Sequence, residues 1–306
     1  MNLIANFQYF GELAALSAAL FWSIAIILFK SVSNELSPFL ITAIKNTIGL
    51  ISFILLFIIL DFPVWHSKFD LYDYIKIIVS GVLGMGLADA LFIFALTKIG
   101  ANRVGIINCF EPVVIYMFSF IMLGTYLTIQ QLLGFVIVIL AILIINYEKD
   151  IDDINPRVKS LGLFLQILAV LLSSFGIVLI KPVLAKVDGM IYGQLWVTAF
   201  RLFPGFIFAW VLFLFQKDKY VLLYPLKNFN VIKKISLGSF LGTFMALGFW
   251  ILGYANINKP PIASILNQSA MIFIVIFSWL FLKENITKLR FLSIMLAIIG
   301  VCVTIL

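Results

Sequence analysis

Long apolar stretches recur along the whole chain, separated by short polar connections. A bilayer core about 30 Å thick is crossed by about 20 helical residues at a rise of about 1.5 Å each. Ten stretches meet that length and predict ten transmembrane helices, here called spans 1 to 10. Their ranges are 11–30, 38–60, 74–97, 102–124, 128–147, 160–181, 190–215, 234–255, 260–282 and 287–306. The longer connections are 61–73, 148–159 and 216–233.

Composition agrees with this pattern and excludes several classes of protein. The chain is 63% apolar and 11% charged, with a mean hydropathy of +1.16, whereas a soluble domain is about half apolar and a quarter charged. So few charged residues could not cover the surface of a water-soluble enzyme. The 21 Lys and Arg residues form no stripe that would bind nucleic acid. We therefore predict an all-α integral membrane protein whose partners are the lipid bilayer and a small molecule, with no nucleic acid.

The distribution of Lys and Arg predicts an orientation. The connections after odd-numbered spans, together with the span ends that border them, hold fourteen of these residues, and those after even-numbered spans, counted in the same way, hold five. The positive-inside rule places the odd-numbered connections in the cytoplasm and both termini outside. The predicted location is a bacterial inner membrane.

An internal repeat divides the chain into two halves, 1–150 and 155–306. Each half contains five spans, so the second half enters the membrane from the opposite side and the repeats are inverted. Inverted repeats are common in secondary transporters, whose substrate site lies near the midplane between the halves; duplication for packing alone is the alternative. The matched positions are 21–30 with 172–181, Thr42-Ala43-Ile44-Lys45 with Thr198-Ala199-Phe200-Arg201, Gly49 with Gly205, the series Ser80, Gly84 and Ala88 with Gly238, Gly242 and Ala246, and Asn108 with Asn267.

Several of these stretches resemble the drug/metabolite transporter superfamily, specifically its ten-helix EamA-type permeases. They are the stretch from Trp22 to Lys30, the basic residues Lys45 and Arg201, Phe110-Glu111-Pro112-Val113 in span 4, and Leu282-Lys283-Glu284-Asn285-Ile286-Thr287 before span 10. The chain departs from the family at Thr125, where an acid usually precedes span 5, and in reading Glu-Pro in span 4 but Asn267-Gln268-Ser269 in span 9. The resemblance implies a transporter with a central cavity. It implies no particular substrate, since the superfamily moves amino acids, sugars, nucleotide precursors and drugs.

Four charged residues fall well inside predicted spans: Lys45, Asp89, Glu111 and Arg201. A charge at the bilayer centre persists only where it faces the protein interior, a cavity or a partner. The two acids and two bases sum to zero formal charge, so one interpretation is mutual ion pairing. The other is a role in substrate or proton handling, and the two are compatible for any one residue.

Glu111 is the stronger candidate for proton coupling, with Asp89 as the second. Asn108 and Glu111 are three residues apart and share a helical face. Pro112 lacks a backbone donor and leaves the carbonyl of Asn108 without its usual bond. A carboxyl in this setting could take up and release a proton as the cavity changes sides. The alternative is a glutamate that caps a kink.

Amide and aromatic side chains complete the predicted site. Ser264, Asn267, Gln268 and Met271 fall on one face of span 9, and Gln194 shares a face of span 7 with Arg201. Amides suit a polar or zwitterionic solute, although hydrogen bonding between helices would also explain them. Trp22, Trp250 and Tyr254 are candidate cavity aromatics, with ordinary packing as the alternative. The predicted cavity residues are Trp22, Lys45, Asp89, Asn108, Glu111, Gln194, Arg201, Trp250, Tyr254, Asn267 and Gln268.

Catalytic and metal-binding motifs are absent from the sequence. Cys109 and Cys302 lie in apolar runs and His66 lies in a connection, so no cofactor or metal is predicted and the chain is not expected to be an enzyme. We predict a secondary active transporter, an exporter or exchanger of a small polar metabolite such as an amino acid, acting by alternating access as a monomer or weak homodimer. Two alternatives stay open: an intramembrane enzyme using Asp89 and Glu111, or a membrane interaction protein that does not transport.

Overall fold

The computed structural model describes residues 8–62, 68–108, 110–146, 155–273, 276–277 and 288–305, and the regular structure of these residues is helical throughout. In the first half the helices are α1 (Phe10–Val32), α2 (Pro38–Ile59), α3 (Leu71–Ser80), α4 (Asp89–Asn108), α5 (Glu111–Leu123) and α6 (Ile129–Asn146). In the second half they are α7 (Pro156–Ala185), α8 (Ile191–Leu214), the short α9 (Lys219–Leu222), α10 (Phe229–Ser239), α11 (Leu247–Asn256), α12 (Pro260–Asn267) and α13 (Lys288–Ile305). A first π-helical segment, Gly81–Ala88, joins α3 to α4, and a second, Phe240–Ala246, joins α10 to α11.

Six stretches of the described residues are long and apolar enough to cross a membrane. They are Phe10–Val32, Pro38–Ile59, Leu71–Ile99, Pro156–Ala185, Ile191–Leu214 and Phe229–Asn256, and they correspond to predicted spans 1, 2, 3, 6, 7 and 8. The shorter apolar helices Glu111–Leu123 and Ile129–Ala141 fall in spans 4 and 5. An all-helical membrane protein is therefore confirmed, and the number of ten spans stays a prediction. The predicted motif at 282–287 lies outside the described residues, as do Cys109 and His66.

The connection predicted between spans 3 and 4 does not interrupt the helix. Helix α4 continues through that region to Asn108, and the next helix, α5, begins at Glu111 with Pro112 in its first turn. Proline has no backbone donor and so cannot continue a preceding helix by bonding to the carbonyl four residues earlier, whereas it fits the first turn of a new helix. Pro112 therefore ends one helix and begins the next, and the polar residues Lys98 and Arg103 do not mark a boundary.

Contacts between the halves are reciprocal. A Cβ atom at Gly49 of α2 would lie 2.6 Å from Thr243 Cγ2, and one at Gly205 of α8 would lie 2.6 Å from Met85 Cβ. The repeat matches Gly49 with Gly205 and, through Gly84 and Gly242, Met85 with Thr243. Each half thus packs its second helix on the π segment of the other half, which is the pattern of two units related by an approximate two-fold axis.

One end of the molecule carries an ion-pair cluster that joins the two halves. Lys186, at the end of α7, donates to Asp73 Oδ2 at 2.5 Å and to Asp70 Oδ2 at 3.1 Å. Asp70 also caps α3 by accepting from the Asp73 N–H at 2.9 Å. That backbone bond, together with Lys186, lowers the pKa of Asp70, and the two carboxylates, Asp73 first, raise the pKa of Lys186.

These shifts predict how the stabilising effect of the cluster depends on pH. The lowered pKa of Asp70 contributes stability that is complete above about pH 4 and is lost as the pH falls through the folded value. The raised pKa of Lys186 contributes stability that is complete below about pH 10 and is lost at higher pH. We expect Lys186→Gln to lower thermal stability between pH 5 and pH 8, because it removes the partner of the exposed Asp70 and of the buried Asp73. The difference from wild type, followed by thermal unfolding in detergent, should shrink as the pH approaches 3; a difference that grows on acidification would contradict the prediction.

Candidate functional site

A cavity of about 190 Å³ lies between the two halves. Its wall is formed by α1, α2, the first π segment, α4 and α5 from the first half, and by α7, the second π segment, α11 and α12 from the second. Eight of the eleven predicted cavity residues line it: Trp22, Lys45, Asp89, Asn108, Glu111, Trp250, Asn267 and Gln268. The remaining three, Gln194, Arg201 and Tyr254, are buried beside it and are not part of its lining.

Lys45 and Asp89 form an ion pair in the wall of the cavity. The Lys45 side chain is 4% exposed and the Asp89 side chain 21%. Lys45 Nζ also donates to Asn46 Oδ1 at 3.2 Å, and Asn46 Nδ2 donates to the carbonyl of Met85 at 2.9 Å. That carbonyl belongs to the first π segment, so α2 is bonded both to Asp89 and to the backbone of this segment.

Glu111 belongs to a hydrogen-bonded cluster that spans the two halves. Gln268 Nε2 donates to Glu111 Oε2 and to the carbonyl of Asn108, both at 3.1 Å. Gln166 Nε2 of α7 donates to Asn108 Oδ1 at 2.7 Å. The Asn108 carbonyl, which Pro112 leaves without a helical partner, is therefore bonded by the second half of the chain. Within the described residues Glu111 has no ion pair.

Arg201 does not line the cavity, and its residue exposure is 1%. Its Nε donates to Ser80 Oγ at 2.7 Å, and that hydroxyl donates to the carbonyl of Gly176 at 2.6 Å. The guanidinium carbon is 5.4 Å from the centre of the Trp250 ring, a cation–π contact. Nη1 and Nη2 have no hydrogen-bond partner among the described residues. The hypothesis that all four intramembrane charges pair with one another therefore holds only for Lys45 and Asp89.

Gln194 and Tyr254 have different surroundings. Gln194 accepts from Asn256 Nδ2 at 2.9 Å and so links α8 to the end of α11. This is the hydrogen bonding between helices that was the alternative explanation for the intramembrane amides. The Tyr254 ring packs on Trp250 with centroids 4.7 Å apart. Its hydroxyl interacts with the side chains of Ser264 and Asn267, although none of these three polar groups has a hydrogen bond of good geometry within the described part of the chain.

Backbone irregularities occur in matched pairs around the cavity. The two π segments contain the matched glycines Gly84 and Gly242, and both segments line the cavity. Helix α4 ends at Asn108 and helix α12 ends at its counterpart Asn267, with the helix resuming at Ala270. Segments of π-helix are frequent at functional sites, and interrupted helices at corresponding positions of two repeats mark the binding site in many transporters.

Sequence reasoning missed Gln166 and Thr243, which also line the cavity. An amide in the middle of span 6 was a signal for Gln166, whereas a threonine in an apolar span carries little information. No group of His, Cys, Asp and Glu that could hold a metal ion occurs within the ranges that the structure describes.

A helical membrane protein with a solute-sized cavity that contains several polar side chains and lies between two related halves has the architecture of a membrane transporter. The EamA-like transporter family matches residues 9–147 and again residues 160–306, so the chain belongs to that family and, with it, to the drug/metabolite transporter superfamily. Its members are transporters rather than enzymes.

Two further comparisons agree with this assignment. An uncharacterized transporter of Methanothermobacter thermautotrophicus is 24% identical over 147 residues, which is 48% of this chain and 42% of that protein. The match thus spans less than half the length of that relative. A protein of known crystal structure shares the fold with a TM-score of 0.78, over 97% of this chain and 96% of its own, at 16% identity.

Proposed function

We propose that this protein is a secondary active transporter, an exporter or exchanger, that moves a small polar metabolite such as an amino acid through the central cavity by alternating access. The proposal includes ten spans arranged as inverted repeats, 1–150 and 155–306, in a bacterial inner membrane with the odd-numbered connections in the cytoplasm. The reciprocal packing of each second helix on the opposite π segment supports the two-fold relation.

The observation that carries the proposal is the pairing of irregular backbone around one cavity. Alternating access requires two arrangements of the halves about a fixed site. Regular helices packed by interlocking side chains resist such a change, because packed interiors deform little. The π segments and the breaks after Asn108 and Asn267 give each half local freedom at the wall of the cavity.

The polar groups of the wall support a polar solute. Thr243 lines the cavity and has a side-chain hydroxyl with no hydrogen-bond partner among the described residues, and Asn267 adds an amide to the lining. Buried polar atoms without partners are costly unless water or a ligand satisfies them. Trp22 and Trp250 add aromatic faces, so the cavity combines hydrogen-bonding groups with flat apolar surface.

Glu111 supports coupling to protons. It joins both halves through Gln268, and its ionised carboxylate can only accept hydrogen bonds whereas the protonated form also donates one. Protonation therefore changes the bonding between α5 and the break after α12. Asp89 is the second candidate for proton coupling. Its ion pair with Lys45 also gives it a structural role.

Replacing Glu111 tests the coupling. In reconstituted vesicles Glu111→Gln should reduce flux driven by a pH gradient by about tenfold or more, a typical coupling between two sites, while counterflow at equal pH on both sides continues. Glu35→Gln, a change at an exposed glutamate, is the matched control and should transport as wild type. Unchanged gradient-driven flux in Glu111→Gln would exclude this role.

Wild-type vesicles that show no counterflow with any labelled amino acid, nucleoside or organic acid would contradict the proposed transport itself.

A further inference from the structure

The two intramembrane bases occupy equivalent places but have different surroundings. The repeat matches Lys45 of α2 with Arg201 of α8. Lys45 pairs with Asp89, which directly follows Ala88 at the end of the first π segment. Ala88 is matched by Ala246 at the end of the second π segment, so the counterpart of Asp89 is Leu247. The second half therefore keeps the base and lacks the acid.

Arg201 shows the consequence of this difference. Its side chain is buried, with one hydrogen bond from Nε to Ser80 and none from Nη1 or Nη2 among the described residues. A buried guanidinium without a counter-charge is costly, and two unpaired donor groups add to that cost. Asp89 acts on Arg201 electrostatically, but its carboxylate is held by Lys45. A hydroxyl of Tyr254 is the other titratable group that acts on Arg201.

Trp250 relates Arg201 to the cavity. Leu247 and Trp250 both line the cavity, and the guanidinium lies over the Trp250 ring. The absence of side chains at Gly84 and Gly176 makes room for the guanidinium itself, because a Cβ atom at Gly84 would lie 2.7 Å from Nη2 and one at Gly176 would lie 3.5 Å from it. A planar guanidinium with two free nitrogens matches the two oxygens of a carboxylate.

We propose that Arg201 binds a carboxylate group of the transported solute. This carboxylate lies next to Leu247 and Trp250, where the carboxylate of an acidic side chain at position 247 would lie. The solute carboxylate then forms an ion pair with Arg201, as Asp89 does with Lys45. This assignment rests on the proposed function and adds the substrate class, a monocarboxylate or amino acid. It also makes Trp250 the residue that a solute must displace or pass to reach the guanidinium.

The first test needs no ligand. Leu247→Asp introduces the missing acid, and Leu247→Asn is the uncharged control of the same shape. Leu247→Asp should unfold at a temperature about 2–4 °C higher than Leu247→Asn, and adding Arg201→Gln to both should remove the difference. Equal unfolding temperatures in the two single variants would overturn the proposal, because Arg201 would then not face position 247.

The second test uses small carboxylates on the full-length protein in detergent. The probes are acetate, butyrate and phenylacetate, each compared with its uncharged amide and with chloride at equal ionic strength. At least one carboxylate should raise the unfolding temperature of wild type more than its amide and more than chloride, by mass action on the folded state. Arg201→Gln and Leu247→Asp should lose that preference, and Arg157→Gln, a change at an exposed arginine, should retain it.

Three outcomes of the second test contradict the proposal: no carboxylate exceeds its amide in wild type, the preference persists in Arg201→Gln, or chloride alone gives the whole effect. The last would indicate a site for inorganic anions. The proposed function fails on a different measurement, since a protein without counterflow is no transporter whatever the Leu247 variants show. If counterflow is present and the carboxylate preference is absent, transport stands and the carboxylate anchor does not.

Discussion

Asp89→Leu is expected to destabilise the protein by about 3–5 kcal/mol, the cost of leaving one member of a buried ion pair without its partner. The variant copies into the first half the leucine that the second half has at position 247. Lys45 is almost fully buried, and its one other polar side-chain contact is the Asn46 amide, so its ammonium group would lose its counter-charge. Equilibrium unfolding in mixed micelles measures the difference.

The matched double variant separates pairing from burial. Lys45→Met combined with Asp89→Leu removes both charges, and replacing a whole buried pair by apolar residues is often close to neutral. The double variant should therefore be more stable than Asp89→Leu alone, by a clear coupling energy between the two sites. Lys159→Met, a change at an exposed lysine, serves as the surface control and should alter stability by about 0.5 kcal/mol or less. Strictly additive effects of the two single changes would contradict the ion pair.

The same pair shows how far sequence reasoning reached. Length and hydropathy identified the six long apolar helices, because a membrane span depends on local composition. The rule that intramembrane charges need partners predicted ion pairing within the set of four charges, and the structure shows such a pair for Lys45 and Asp89. The rule did not show that Arg201 and Glu111 would remain outside ion pairs in the described residues, since pairing depends on how far apart the helices stand and not on the sum of charges.

Other features of the site depended on tertiary contacts that the sequence pattern does not contain. Pro112 predicted a freed carbonyl at Asn108, and the repeat matched Asn108 with Asn267. The donor to that carbonyl is Gln268 from the other half, and Gln166 approaches the same residue from α7. The π segments were visible in the sequence only as series of small residues, which suggest close packing without indicating a change in helical period.

Gly81→Ala is expected to destabilise the protein by about 3 kcal/mol through overpacking. Gly81 begins the first π segment, and a Cβ atom there would overlap the carbonyl oxygen of Arg201 and lie 2.6 Å from Pro204 Cγ. The obstacle is the backbone of α8, which cannot rotate away as a side chain end can. Thermal or denaturant unfolding in detergent measures the loss.

Gly248→Ala is the matched control, because a Cβ atom there would have its nearest neighbour at an ordinary 3.6 Å from Leu195 Cδ2. Alanine also fits a helix better than glycine by about 0.5–1 kcal/mol, so this variant should be at least as stable as wild type. A Gly81→Ala protein as stable as wild type would show that α8 does not approach the first π segment this closely. That result would also weaken the two-fold relation of the halves, since the contacts of Gly49 and Gly205 across the same pair of interfaces are its main structural support.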